Sequence, residues 1–171
     1  KEVDFFFLDR MLQHDFNWYE GLFGPSRGNS FKPIRGEISP RYARLKAWQV
    51  KKVAGLLPDL RIILILRHPI ERAWSQTLYD FGRLRGRDIR NVANLEIARQ
   101  LERARSKLSS DYLRTVEIWS KTFGWEALHI GFFDDLRDNP QLFITGILRH
   151  IGANPSWPLP QEFVKKRVWA T

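Results

Sequence analysis

Cysteine is missing from the chain altogether, which removes disulfides, thiolate chemistry and most structural zinc sites at once. No apolar run is long enough to cross a bilayer, so no membrane span is expected in this segment. Low-complexity tracts and internal repeats are also lacking. The histidines, His14, His68, His129 and His150, stand far apart and none belongs to a two-histidine helical motif; metal catalysis finds no support and no metal is expected. A G-x-S-x-G elbow is absent, which sets the usual serine hydrolases aside. The lack of cysteine fits a reducing compartment, and a cytoplasmic location is the expectation.

What is present suits one folded core. With 171 residues, 43% of them hydrophobic, the chain can bury one sizeable interior, and a single domain over 1–171 is expected. Its formal net charge of +9 calls for an anionic partner: nucleic acid, a nucleotide, an acidic glycan or a membrane surface. Much of that charge is local, since Arg83 to Lys107 holds eight basic residues against three acidic ones.

The most informative stretch is Arg61 to Gln76, RIILILRHPIERAWSQ. An unbroken aliphatic run from Ile62 to Leu66 reads as a buried parallel strand, apolar on both faces because helices cover both. It stops at Arg67, and Pro69 then suits the first turn of a helix, where its missing N–H has no partner to lose. The result is a strand, a short turn and a helix, with a guanidinium at the C-terminal end of the strand. That end of an open α/β sheet is where ligands bind, and a helix N-terminus there favours an anion.

Other elements follow from pattern. Lys1 to Leu8 alternates charged and apolar residues and reads as a strand, whose period of two puts Glu2 and Asp4 on one face. His14 to Phe23 is a short aromatic helix, and Gly24 to Ser30 a loop lacking the Gly-Lys-Ser/Thr ending of a phosphate loop. Ile34 to Ile38 reads as a short strand. Ser39-Pro40 starts a helix running to about Leu57, with Tyr42, Leu45, Val53 and Leu56 on its apolar face. After the central strand, helices are expected from Pro69 to about Arg83, from Asn94 to Lys107, and after Asp111 with Tyr112, Val116, Trp119 and Phe123 on a stripe. Ala127 to Phe133 is a further strand, and Asn139-Pro140 starts a helix that Gly152 stops. Strands alternating with helices make this an α/β chain with a parallel sheet flanked by helices.

The chemistry then rests on carboxylates near strand ends and cations near Arg67. Paired carboxylates raise one another's pKa, which suits a general base; for Glu2 and Asp4 a strand-edge charge pair without a catalytic role stands as the alternative.

KEVDFFF, GEISPRY, ILILRHPIERAWSQ and SSDYLRTVEIWSKTFGWEALHIGFFDDLRDNP, in that order, resemble the sulfotransferases that use 3′-phosphoadenylyl sulfate (PAPS), nearest to the bacterial members and the heparan sulfate sulfotransferases. The resemblance implies an α/β fold of the P-loop NTPase-like sulfotransferase type. It implies that Arg67 and Ser75 bind the donor's 3′-phosphate, with Arg72 a further candidate, and that Glu2 is the base that deprotonates the acceptor, with Asp4 and Glu37 as further candidates. Where the heparan-type enzymes carry a lysine in the Glu-x-Ser/Thr-Pro segment, this chain has Ile38. The family's phosphosulfate loop precedes KE-x-x-FF, and its C-terminal closing segment follows Val164 to Arg167. On the resemblance, the 171 residues are therefore the core of a longer enzyme.

The implied reaction moves a sulfuryl group from PAPS to a hydroxyl or amine of a glycan or small molecule. Its partners are the nucleotide donor and that acceptor, with no metal and no nucleic acid. A P-loop kinase-like nucleotide-binding protein and a basic nucleic-acid-binding module are the alternatives.

Overall fold

A computed structural model of the chain describes residues 2–24 and 33–160. Lys1, the expected loop beyond Gly24, and Val164 to Arg167 lie outside the described residues. The helices are α1 (Leu8–Met11), α2 (Phe16–Gly21), α3 (Ala47–Leu56), α4 (Pro69–Arg85), α5 (Asn94–Leu101), α6 (Ala104–Ser110), α7 (Tyr112–Phe123), α8 (Phe133–Asp138) and α9 (Pro140–His150). The strands are β1 (Ile62–Leu66), between α3 and α4, and β2 (Leu128–Phe132), between α7 and α8. Among the described residues the sheet consists of these two strands, paired in parallel with Ile62 opposite Leu128 and Leu66 opposite Phe132.

Local signals place the helix ends. Pro69 opens α4, which closes on Gly86 at φ 63°, a left-handed conformation that glycine adopts without steric cost. The carboxylate of Asp111 accepts from the Arg114 N–H at the start of α7, and the Asn139 side chain accepts from the Leu142 N–H at the start of α9.

One face of the sheet is closed by α3 and α7. Val50, Val53 and Trp119 form a buried cluster with Ile62, joined by Phe5, Phe6, Tyr19 and Leu45. On the other face α9 lies close enough to β2 that a Cβ at Gly131 would meet the Phe143 ring at 2.5 Å, so glycine is needed there. Over β1 that face stays open: Ile63 is 37% exposed and Ile65 47%. The strand read from the aliphatic run is thus present and parallel, but covered on one face only.

Several sequence expectations are overturned. The strand expected over Lys1 to Leu8 is absent from its described part: residues 2–4 have no ladder partner among the described residues, and α1 begins at Leu8. Its aromatic run turns inward instead, Phe5 stacking on Tyr19 at 4.7 Å and meeting Phe6 edge-on at 5.2 Å. Glu2 and Asp4 consequently do not share a strand face, since Glu2 is exposed while Asp4 is buried. Ile34 to Ile38 is irregular as well. The helix expected from Ser39 to Leu57 is a 3-10 turn (Pro40–Arg44), then a break at Leu45, then α3; Leu45 has extended backbone, which lets its side chain reach the core at 1% exposure. The helix expected over Asn94 to Lys107 is two, α5 and α6, with α6 entered through the extended residue Arg103.

Candidate functional site

At the C-terminal end of β1 the chain leaves the sheet with Arg67 and enters α4 two residues later. The Arg67 guanidinium lies over the Phe133 ring, 4.8 Å from its centroid, and its Nε–H donates to Glu71 Oε2 at 3.2 Å. Its backbone N–H donates to the Tyr112 hydroxyl at 3.4 Å. Stacking on a ring face and pairing with a carboxylate are the two contacts a planar guanidinium makes best. Ser75 lies two turns into α4 and is half-buried. It stands one helical turn beyond Glu71 and Arg72, on the surface they share.

Arg72 does something else. Its Nε–H donates to Ser110 Oγ at 2.8 Å and its Nη2 to the Ser106 carbonyl at 3.0 Å and hydroxyl at 3.2 Å. Burial lowers the pKa of this guanidinium, against a smaller raising effect from Tyr112. Its hydrogen bonds tie α4 to α6, so the arginine works as a clasp between helices.

Two of the acidic candidates, Asp4 and Glu37, meet at Ser39. The Asp4 N–H donates to Ser39 Oγ at 3.3 Å, and that hydroxyl donates to Glu37 Oε2 at 3.1 Å. Glu37 Oε1 also accepts from the Tyr42 hydroxyl at 2.6 Å and the Tyr19 hydroxyl at 3.0 Å. Burial pushes both tyrosine hydroxyls well above their ordinary range, and the charge and hydrogen bonds of Glu37 push the same way. Asp4 pairs through Oδ2 with Arg41 Nη1 at 2.7 Å, while Arg41 also covers the Phe7 ring at 4.5 Å. Asp4 is strained: it is a non-glycine residue at φ 55°, and its buried Oδ1 has no hydrogen-bond partner. Glu2 alone of the three carboxylates is exposed and free of a partner among the described residues.

The start of α7 links the two groups. Tyr112 meets the Arg67 backbone, while Arg114 donates to the Ala43 and Leu45 carbonyls and Thr115 Oγ1 to the Ala43 carbonyl. These residues belong to the segment that also carries Arg41. Tyr112, Phe133, Ser39 and Arg41 escaped sequence reasoning. The pattern showed Tyr112 only as part of an apolar stripe, and nothing in spacing announces a ring placed under Arg67 from the start of α8.

Half of the cations in the basic stretch pair within it. Arg85 and Arg87 both meet Glu96, Arg90 meets Asp88, and Lys107 meets Glu102. Among the described residues no group of three or more His, Asp or Glu side chains could hold a metal. A cavity of about 260 Å³ between β2, α8 and α9, lined by His129, Asp135, Asn139 and Phe143, contains none of the candidate residues.

The structure is similar to the crystal structure of a sulfotransferase from Alicyclobacillus acidocaldarius, with a TM-score of 0.67 and 20% sequence identity. The fold is sulfotransferase-like. The match covers 91% of this chain and 63% of that one, so the chain spans less than two thirds of that protein's length. No family model matches the chain, and no curated protein matches it by sequence.

Proposed function

We propose that this sulfotransferase-like core belongs to an enzyme that transfers a sulfuryl group from PAPS to a hydroxyl or amine. The observation that carries the reading is Arg67. It stands where a parallel strand ends and a proline-started helix begins, and its two terminal nitrogens have no partner among the described residues. A planar fork of donors beside a helix N-terminus is the donor set a phosphate needs, so these residues fit the nucleotide. In this reading Arg67 and Ser75 hold the 3′-phosphate. Arg72 is left out of the anchor in this reading, since its Nε and Nη2 are engaged with Ser110 and Ser106.

Bound there, the donor supplies a sulfuryl group joined to a phosphate leaving group. Transfer of such a group needs in-line positioning and charge stabilisation more than covalent help from the protein. Glu2 is assigned as the base that takes the acceptor's proton, because Asp4 is paired with Arg41 and Glu37 already accepts hydrogen bonds from three hydroxyls. A nucleic-acid reading of residues 83–107 gains little, since half of their cations are paired with nearby acids.

The test is calorimetric binding of adenosine 3′,5′-bisphosphate to the full-length protein. Arg67→Ala is expected to weaken binding by roughly 1.5 to 3 kcal/mol, the worth of hydrogen bonds to a charged group. Glu2→Gln is expected to bind normally and lose most turnover. Unchanged binding in Arg67→Ala refutes the phosphate anchor, and retained turnover in Glu2→Gln places the base elsewhere.

A further inference from the structure

Arg67, Glu71 and Ser75 follow one another at intervals of four residues. In a helix that spacing places Glu71 beside Ser75 on one surface, with Arg67 just before the first turn. A carboxylate between two residues assigned to an anion would be expected to repel the ligand. The contacts give it a different task. Glu71 takes only Nε, the stem-side nitrogen of Arg67, at 3.2 Å, and the Phe133 ring lies under the guanidinium face at 4.8 Å. One edge and one face of the guanidinium are thus held, while Nη1 and Nη2 remain unpartnered among the described residues.

We propose that Glu71 is a positioning residue, which holds Arg67 by Nε so that its two terminal nitrogens are presented to the ligand phosphate as a fixed fork. An arginine whose rotamer is set before binding loses less freedom when the ligand arrives. Two donors locked in one plane also match two phosphate oxygens at once. Glu71 is more than half exposed on the first turn of α4, so its substitution should leave the fold intact. This inference rests on the assignment of Arg67 as the phosphate anchor.

Calorimetric titration of full-length wild type, Glu71→Ala, Glu71→Gln, Arg67→Ala and the double variant Glu71→Ala/Arg67→Ala with adenosine 3′,5′-bisphosphate tests it. Glu71→Ala should weaken binding by about threefold to fivefold, the scale of one partly exposed ion pair. Glu71→Gln keeps an acceptor oxygen and sheds the repelling charge, so it should bind at least as well as wild type. In the double variant the loss should be that of Arg67→Ala alone, because Glu71 acts through that guanidinium.

Tighter binding by Glu71→Ala would show a competitor that must be displaced and overturns the proposal. So does an unchanged affinity, an equal loss in Glu71→Ala and Glu71→Gln, or a further loss on top of Arg67→Ala. If Arg67→Ala itself binds normally, the anchor assignment fails and this inference fails with it, a result distinct from failure of Glu71 alone.

Discussion

Residues 61–76 and residues 2–46 carry the two halves of the proposed chemistry, and they are built in opposite ways. Around Arg67 the framework is near in sequence: a five-residue strand, a proline at the first turn of α4, and a guanidinium paired with the residue four positions on, to which Tyr112 and Phe133 add contacts from far along the chain. Around Asp4 and Phe6 the ties are long. Asp4 reaches Ser39 across 35 positions, Arg41 reaches Asp4 across 37, and Gln49 reaches the Phe6 carbonyl across 43. The strand, turn and helix that carry the proposed anchor follow from local chain chemistry. The acidic cluster exists only once the fold has formed, so its geometry is a product of the core beneath it.

That contrast can be broken by mutation. Glu37→Leu leaves the hydroxyls of Tyr19 and Tyr42 without their acceptor, and each orphaned polar group costs about 1 to 3 kcal/mol where water cannot replace the bond. A loss of roughly 3 kcal/mol is expected for the pair. Pro69→Ala in the local region should cost less than about 1 kcal/mol, since it removes only backbone restriction at a first-turn position. Urea midpoints of the two variants measure both, and a larger loss from Pro69→Ala would invert the comparison.

The same network makes an alkaline signature. The folded tyrosines have pKa values raised above their ordinary 10, so above that pH the unfolded chain gives up protons that the folded chain keeps. Stability from this source is whole below pH 10 and falls as pH rises through it. The share of the tyrosinate absorbance that Tyr19→Phe/Tyr42→Phe removes is expected to appear together with the unfolding signal, and its appearance in the folded protein near pH 10 would contradict the burial argument.

How much of this was legible follows from the same division. The strand at 62–66, the helix from Pro69 and the Asn139-Pro140 start of α9 were readable, because the residues that decide them lie within a few positions. KEVDFFF was not. Its alternation is compatible with a strand, but a strand also needs a ladder partner, and neither partner nor register is written in the segment itself. Asp4 at φ 55° could not have been anticipated either, since its conformation is held by Ser39 and Arg41. Arg67 was identifiable as a cation at a strand end, while its ring from Phe133 comes from the start of α8, beyond the reach of any local pattern.

Asp4 offers a smaller and sharper test. An L residue in the left-handed region costs about 1 to 2 kcal/mol unless a short polar side chain offsets it. Asp4→Ala keeps that backbone and removes both the offset and the Arg41 pair, for an expected loss of about 2 kcal/mol. Asp4→Asn tolerates the same backbone and still offers Arg41 an oxygen, so it should lose less than half as much. Equal losses would mean that the charge, and not the backbone, sets the cost.

The smallest effect belongs to the sheet side and lies at the opposite end of the pH scale. His129 sits on β2 opposite Ile63 and faces His150, with ring centroids 5.5 Å apart. Burial lowers its pKa below the ordinary 6.5, and the neighbouring His150 adds to this. The unfolded chain therefore binds more protons than the folded one just below pH 6.5, and stability rises with pH there. The contribution is complete above about pH 6.5 and is lost as pH falls through the depressed folded value. It should be modest because the ring is only partly buried. A thermal-melt series from pH 5 to pH 8 should show a gentle upward slope in wild type that flattens in His129→Gln. If the slope survives that substitution, the acid sensitivity lies outside the β2 and α9 contact, and the two regions would no longer separate by the pH at which each gives way.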